Sequence, residues 1–221
     1  MKRFGLGALV LCAMVLGVAC LSVRSGEGGA EAAKTESLGE FRARFIREFR
    51  RSGLNTTPGD AMMLRILVQS RNAQRGIEVG SANGYGAINM GVGFERTGGK
   101  LFTLEINPGM ARACRENIRR MKLEKTVSVV EGDALKTLAT LEGEFDFLFI
   151  DAVKRDYLKY LKLVEKRLKP GAVIVGDNAI RSERAMKDFL DYLKDSPDYE
   201  MVVIRASMEK RDGMAVAYKI R

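Results

Sequence analysis

The chain has 221 residues, of which 46% are hydrophobic, and a formal charge of +9; that length suffices for one well-buried domain. It has no His and three Cys, two of which, Cys12 and Cys20, sit in an N-terminal apolar segment. A Ser-His-Asp or Cys-His nucleophile, a His-ligated zinc and a disulfide within the body of the chain are therefore excluded, so a general base must be Lys, Asp, Glu, Tyr or water, and a metal must be bound through oxygen.

Residues 4–23 form an apolar segment behind Lys2 and Arg3, near the length that spans a bilayer as a helix. Three readings stay open: a cleaved signal peptide, a lipoprotein signal with Gly17-Val18-Ala19-Cys20 as its lipobox, or an uncleaved anchor. Basic residues on both flanks leave its orientation undecided. The stretch SGEGGAEAA that follows Arg24 is a small-residue, Gly-rich linker. The expected organisation is thus an anchor or signal over residues 1–24, a flexible linker over 25–36 and a folded domain over 37–221.

From Ser37 to Ser52 the pattern predicts a helix with Phe41, Phe45, Ile46 and Phe49 on one face and Arg residues on the other, stopped by Gly53. Such a basic amphipathic helix packs on its own domain or touches a membrane or a partner. A polar loop, Asn55 to Asp60, precedes a helix over 61–71, with Pro58 suited to a helix start. The chain then alternates. Strands are expected to begin near Gly76, Lys100, Thr126, Phe145, Ala172, Met201 and Met214, and helices to cover 84–95, 107–121, 134–141, 156–168 and 182–194. This alternation predicts an α/β fold with a mostly parallel sheet and helices on both faces. Only residues 206–213 join the last two strands. No helix fits there, so one strand is antiparallel.

Several strand tips carry chemistry. The run FDFLFID, residues 145–151, is a buried parallel strand that ends on Asp151, with Lys154 three residues on. The next strand, AVIVG, ends on Asp177 and Asn178. Two carboxylates, an amide oxygen and an amine in one crevice are hard ligands for a divalent cation, plus a base. Each residue has a plainer reading when taken alone: Asp151 as a helix cap, Lys154 as a solvated helix residue, Asp177-Asn178 as a turn. The first strand leads into Glu78-Val79-Gly80-Ser81-Ala82-Asn83-Gly84-Tyr85-Gly86, whose glycines let backbone approach a ligand. The spacing is not the G-x-G-x-x-G of dinucleotide folds. The second strand ends on Glu105, suited to the two hydroxyls of a ribose, and the third on Glu131-Gly132-Asp133. Together these tips point to an adenosine-type ligand without a pyrophosphate.

The stretches LFTLEINPGMA (101–111), FIDAVKRDYLKYL (149–161) and VGDNAI (175–180) resemble those of the class I S-adenosylmethionine-dependent methyltransferases, and within them the cation-dependent O-methyltransferases that include catechol and caffeoyl-CoA O-methyltransferase. The resemblance covers about residues 54–221. It implies a Rossmann-like, seven-stranded, mostly parallel sheet with one antiparallel strand. It implies that Glu105 and Ile106 hold the ribose side of S-adenosyl-L-methionine, that Asn55, Thr57, Gly80, Ser81, Gly84, Tyr85 and Gly86 hold the methionine part with Glu78 in support, and that Asp133 and Ala134 meet the adenine. Asp151, Asp177 and Asn178 would bind the metal, with Asp151 also facing the donor, and Lys154 would be the catalytic base.

The physical logic agrees with these roles. A phenol titrates near 10, so little phenolate exists at neutral pH. A divalent cation, Mg²⁺ by its oxygen ligands, stabilises the oxyanion and fixes it for in-line attack on the sulfonium methyl. The expected function is therefore Mg-dependent O-methyl transfer to a vicinal-diol or hydroxycinnamoyl-type molecule. The alternatives are a non-catalytic S-adenosylmethionine-binding module and a methyltransferase acting on a macromolecule. Ala152 and Val153 stand where catechol O-methyltransferase has His-Trp, Ser182 where the family has a proline, and Ala206 or Ser207 where it has a glutamate. These departures bear on catechol itself, while the basic surface admits an anionic acceptor such as an acyl-CoA ester. No nucleic-acid partner is expected, because the basic residues are scattered over helices without a basic aromatic strip. Membrane contact is expected through residues 4–23, and a homodimer is left open. S-adenosylmethionine is made in the cytoplasm, so the expected location is a membrane-associated protein with a cytoplasmic domain. An exported lipoprotein, or secretion after signal cleavage, is the alternative.

Overall fold

The computed structural model describes residues 35–221, of which Ser37–Arg221 form one unit. The apolar segment at 4–23 and nearly all of the linker lie outside the described residues. Among the described residues, no helix is long and apolar enough to cross a membrane.

Helix α1, Leu38–Arg47, opens on a capping box in which Ser37 and Glu40 satisfy each other's free amides. It ends at Arg47, before the expected Ser52. There the chain turns so that the Phe49 ring meets Tyr85 at 5.2 Å and the Arg50 carbonyl accepts from the Asn83 amide. Helix α2, Pro58–Ser70, starts three residues earlier than expected, because Thr57 caps it and Pro58 takes the first helical position.

The remaining elements alternate as the pattern predicts. They are β1 (Arg75–Val79), α3 (Tyr85–Thr97), β2 (Lys100–Glu105), α4 (Pro108–Arg120), β3 (Val127–Glu131), α5 (Ala134–Thr137), β4 (Phe145–Ile150), α6 (Tyr157–Val164), β5 (Leu168–Gly176), α7 (Lys187–Asp195), β6 (Tyr199–Ile204) and β7 (Met214–Lys219). The expected helix over 134–141 is one short turn that tightens into a 3₁₀ turn over Leu138–Thr140. A 3₁₀ turn over Lys154–Asp156 likewise precedes α6. Strand β5 begins at Leu168 rather than near Ala172, since Leu168 pairs with Phe145 across an irregularity in register.

The sheet has seven strands in the order β3-β2-β1-β4-β5-β7-β6, and only β7 runs antiparallel to its neighbours. It is the Rossmann-like, mostly parallel sheet expected from the resemblance. Every residue of β4 is buried. Its Phe147 and Phe149 face the cluster with α1–α4, where Leu64, Ile88, Phe94 and Cys114 pack. Leu148 and Ile150 face the cluster with α5–α7, among Tyr157, Leu161 and Phe189. A strand clothed by helices on both faces must be apolar on both, which is why FDFLFI lacks polar alternation. Its exception, Asp146, is buried at the strand's start and accepts the backbone amides of Gln74 and Arg75 at 2.9–3.0 Å, which fixes the entry to β1.

The order of strands reverses between β1 and β4, so a crevice opens beyond their C-terminal ends. Beneath it lies Glu78 on β1, paired in register with Thr103 on β2, whose hydroxyl donates to the carboxyl. Burial, with the nearby Asp151 and Glu105 carboxylates adding to it, pushes Glu78 from the usual 4.5 up to about 8, against the pull of the Thr103 bond. The folded chain therefore keeps a proton at neutral pH that the unfolded chain has released. That contribution to stability is complete at acid pH and is lost as pH rises from about 4.5 through about 8. Urea midpoints of the ligand-free protein at pH 5.5 and pH 8 should fall for the wild type and stay flatter for Glu78→Gln; equal slopes would contradict a protonated Glu78.

Candidate active site

A cavity of about 540 Å³ occupies the crevice. Five strand tips meet there in an order fixed by backbone hydrogen bonds. The amide of Asp151 donates to Val79 and that of Asp177 to Ile150. The amide of Gly80 donates to Leu104 and that of Gly132 to Glu105. Each tip is thus tied to its neighbour one residue beyond the sheet.

On the β1–β3 side, Gly80 has a φ of +93°, and a Cβ there would strike the carbonyl oxygen of Asp151. Only glycine lets β1 and β4 close this tightly. Glu105 accepts the amide of Ala82 at 2.8 Å with one oxygen and that of Asn107 at 2.9 Å with the other. It is pinned in the cavity wall with lone pairs to spare. Ile106 is exposed beside it, and Gly132, Asp133, Ala134 and Tyr160 continue the wall. Asp133 caps α5 by accepting the Leu135 amide at 2.9 Å. The loop Gly53-Leu54-Asn55 covers this side.

Six residues expected near the donor do not line the cavity. Thr57 is buried at the start of α2 and donates its hydroxyl to Asp60 at 2.8 Å. Ser81 is buried behind the loop. Gly84, with a φ of +97°, sits against Cys114 at the start of α3, and Tyr85 packs on Phe49. Gly86 lies against the Glu78 carboxyl, and Glu78 itself is below the floor.

On the β4–β5 side, Asp151, Lys154, Asp177 and Asn178 all line the same cavity. The parallel register sets Ile150 beside Gly176, which brings the two aspartates side by side. Lys154 Nζ donates to Asp151 at 2.9 Å and to the Tyr157 hydroxyl at 2.6 Å, and Tyr157 donates on to the Asp177 carbonyl at 3.3 Å. Burial, then Asp151 and Asp177, raise Tyr157 well above its ordinary pKa, so its hydroxyl stays protonated. Burial, then Asp151, push Asp177 up to about 6, while Lys210 pulls the other way. Lys210 Nζ lies 2.9 Å from both Asp177 oxygens and 3.1 Å from Asp60. Burial works against its charge, but Asp177 and Asp60 raise its pKa above the ordinary lysine value.

Asn178 holds a left-handed backbone, φ 64°, and its amide nitrogen donates to Asp212 at 2.9 Å. Its carbonyl oxygen is the end left free to coordinate. Asp212 also accepts the amides of Ile180, Arg181 and Gly213, so one buried carboxylate organises the whole tip of β5. Among the described residues, no three Asp, Glu or Cys side chains gather closely enough to hold a metal by themselves. The predicted set relies on the Asn178 amide as its third oxygen.

Sequence reasoning missed Asp60, Tyr157, Arg181, Lys210 and Asp212. Tyr157 had a signal, its i+3 spacing from Lys154. Asp60 reads as the last residue of the polar loop before α2, and nothing local marks Lys210.

A family profile described as O-methyltransferase matches residues 29–209. A catechol O-methyltransferase of Mycobacterium tuberculosis is 35% identical over 147 residues, 66% of this chain and 63% of that enzyme. One from Niastella koreensis is 32% identical over 139 residues, 61% of this chain and 62% of that enzyme. The chain spans less than two thirds of the length of these relatives. The crystal structure of an O-methyltransferase from Bacillus cereus in complex with SAH superposes with a TM-score of 0.72 at 26% identity, covering 86% of this chain and 93% of that one. With the profile spanning most of its length and the sheet order in accord, the chain belongs to the O-methyltransferase family.

Proposed function

We propose that the protein transfers a methyl group from S-adenosyl-L-methionine to a hydroxyl of a small molecule, a vicinal diol or a hydroxycinnamoyl-type compound, with a divalent cation, Mg²⁺, at Asp151, Asp177 and Asn178. The observation that carries this is one cavity lined both by Gly80 and Glu105 and by Asp151, Lys154, Asp177 and Asn178. SAH, held in the Bacillus cereus relative, is the demethylated form of the same donor.

Glu105 is set to accept the two ribose hydroxyls, because its orientation is fixed by the Ala82 and Asn107 amides rather than by a competing cation. Gly80 gives the donor's chain a path with no Cβ in the way. Ile106 adjoins Glu105 on the ribose side, Asp133 and Ala134 form the wall for the adenine, and Asn55 lines the cavity for the methionine end. Thr57, Ser81, Gly84, Tyr85 and Gly86 act from behind, as the frame that shapes this loop.

The cation donors fit the expected metal in kind: two carboxylates and an amide carbonyl are hard oxygen ligands. Burial and the repulsion of Asp151 raise Asp177 even with Lys210 beside it, so added positive charge at this pair is favourable. When bound, the ion would supply charge that favours the ionised acceptor. Lys154 then receives the acceptor's hydroxyl proton at Nζ, held in direction by Tyr157. The acceptor oxygen forms its bond to the methyl carbon as the carbon–sulfur bond breaks, and the electron pair stays on sulfur. Positioning of the two partners in one enclosed site supplies much of the rate.

On the acceptor side, Val153 is half exposed in place of an aromatic gate, and Arg181 and Lys210 line the cavity. The open mouth leaves room for a larger acceptor, and the basic surface of the chain admits an anionic one, such as a hydroxycinnamoyl thioester of coenzyme A.

Two measurements test this reading. Methyl transfer to a simple catechol-type diol with Mg²⁺ should vanish in EDTA and fall by on the order of 100-fold or more in Asp177→Ala; activity that survives both would overturn the cation's role. By calorimetry, Glu105→Gln should weaken S-adenosylmethionine binding by about tenfold or more with the fold intact by circular dichroism, since a charge-assisted acceptor becomes a neutral one. Unchanged affinity would remove Glu105 from the ribose.

A further inference from the structure

We propose that Lys210 is a resident counter-cation of the Asp177 seat: its ammonium stands where a divalent ion binds, and metal loading requires it to withdraw onto Asp60. The inference rests on the reading above that Asp177 holds a cation.

The geometry is that of a cation site already filled. One nitrogen faces both oxygens of Asp177 at 2.9 Å and one oxygen of Asp60 at 3.1 Å. Both carboxylates are almost fully buried, at 1% and 2% side-chain exposure. Asp177 Oδ1 also accepts the amide of Asn178 at 2.8 Å, so with Lys210 in place that oxygen has no further capacity. An ammonium and a divalent ion cannot share the carboxylate without like charges meeting within a few ångströms. One must leave.

Asp60 gives the ammonium somewhere to go. It lies in the first turn of α2, and the Thr57 hydroxyl donates to the same oxygen that Lys210 contacts. A lone buried carboxylate there would be costly, so Lys210 gains by keeping Asp60 when it gives up Asp177. The shift needs only the lysine side chain, since the neighbouring Glu209 stays held by Arg51 and by the Ser207 hydroxyl. Ser207 and Asp212 are buried at the two ends of the segment, whereas Met208 between them is fully exposed. Asp212 holds Asn178 from the anchored end. Lys210 can therefore move without disturbing the amide that would coordinate the ion.

The consequence is a competition written into the apparent affinity. Only the fraction of molecules with Lys210 withdrawn binds the ion, so the measured dissociation constant is the intrinsic one divided by that fraction. Mn²⁺ binding to the full-length chain, measured by calorimetry at one pH, tests this. Lys210→Met should bind Mn²⁺ about tenfold tighter than the wild type. Asp60→Asn, which removes the ammonium's alternative partner, should bind it more weakly. A merely structural pair would weaken binding in both. Equal or weaker binding by a folded Lys210→Met, or unimpaired binding by Asp60→Asn, overturns the proposal. If Lys210→Met does not fold, the double variant Asp60→Asn/Lys210→Met removes the Asp60 charge together with its partner, leaves only Asp177 open to the incoming ion, and should show the same gain; no gain overturns the proposal. Loss of Mn²⁺ binding in the wild type and every variant would instead sink the metal reading itself.

Discussion

Two carboxylates pressed together at adjacent strand tips set the terms for everything around them. Parallel pairing of Ile150 with Gly176 leaves Asp151 and Asp177 no choice but to be neighbours. Asp177 is shielded from water and Asp151 partly so, and each is paired with a cation. Lys154 serves Asp151 and Lys210 serves Asp177, while Tyr157 bridges the Lys154 amine to the Asp177 backbone. The crevice is therefore held in order by charge pairs that any incoming ion must rearrange. That is a different logic from the opposite wall, where Glu105 is oriented by two backbone amides and needs no cation.

This division follows the topology. The tips of β1, β2 and β3 offer a glycine, a fixed carboxylate and a helix start, which suits the hydroxyl-bearing sugar of an adenosine-type ligand. The tips of β4 and β5 offer negative charge and an amine. The reversal of strand order between β1 and β4 is what allows the two halves to face each other across one cavity. Gly80 marks the seam, since its backbone lies against that of Asp151.

Much of this was legible in the sequence because burial leaves a strong mark. A strand covered on both faces must read as an unbroken apolar run, so FDFLFI named itself, and its register with AVIVG carried Asp151 and Asp177 to the same end. The short connection after β6 betrayed the antiparallel strand. What was not legible depended on distant partners. Asp60 and Lys210 are far apart in the chain and meet only through the fold. Asp212 is unmarked within the 206–213 connection, yet it organises three amides and Asn178. The glycine loop was read as a ligand cradle along its whole length; Gly80 and Ala82 reach the cavity, whereas Gly84 and Gly86 serve close packing against Cys114 and Glu78. A glycine announces a close approach but not what approaches. The early end of α1 had no local cause either, because it is Phe49 reaching Tyr85 that turns the chain.

The account stands on the two halves of the crevice meeting at one reaction centre. The most direct test is an anomalous difference map from crystals of the protein grown with Mn²⁺ and SAH. A single manganese peak bounded by Asp151, Asp177 and Asn178, with the SAH ribose on Glu105 in the same cavity, is the predicted result. Manganese elsewhere, or SAH bound away from Glu105, would contradict it.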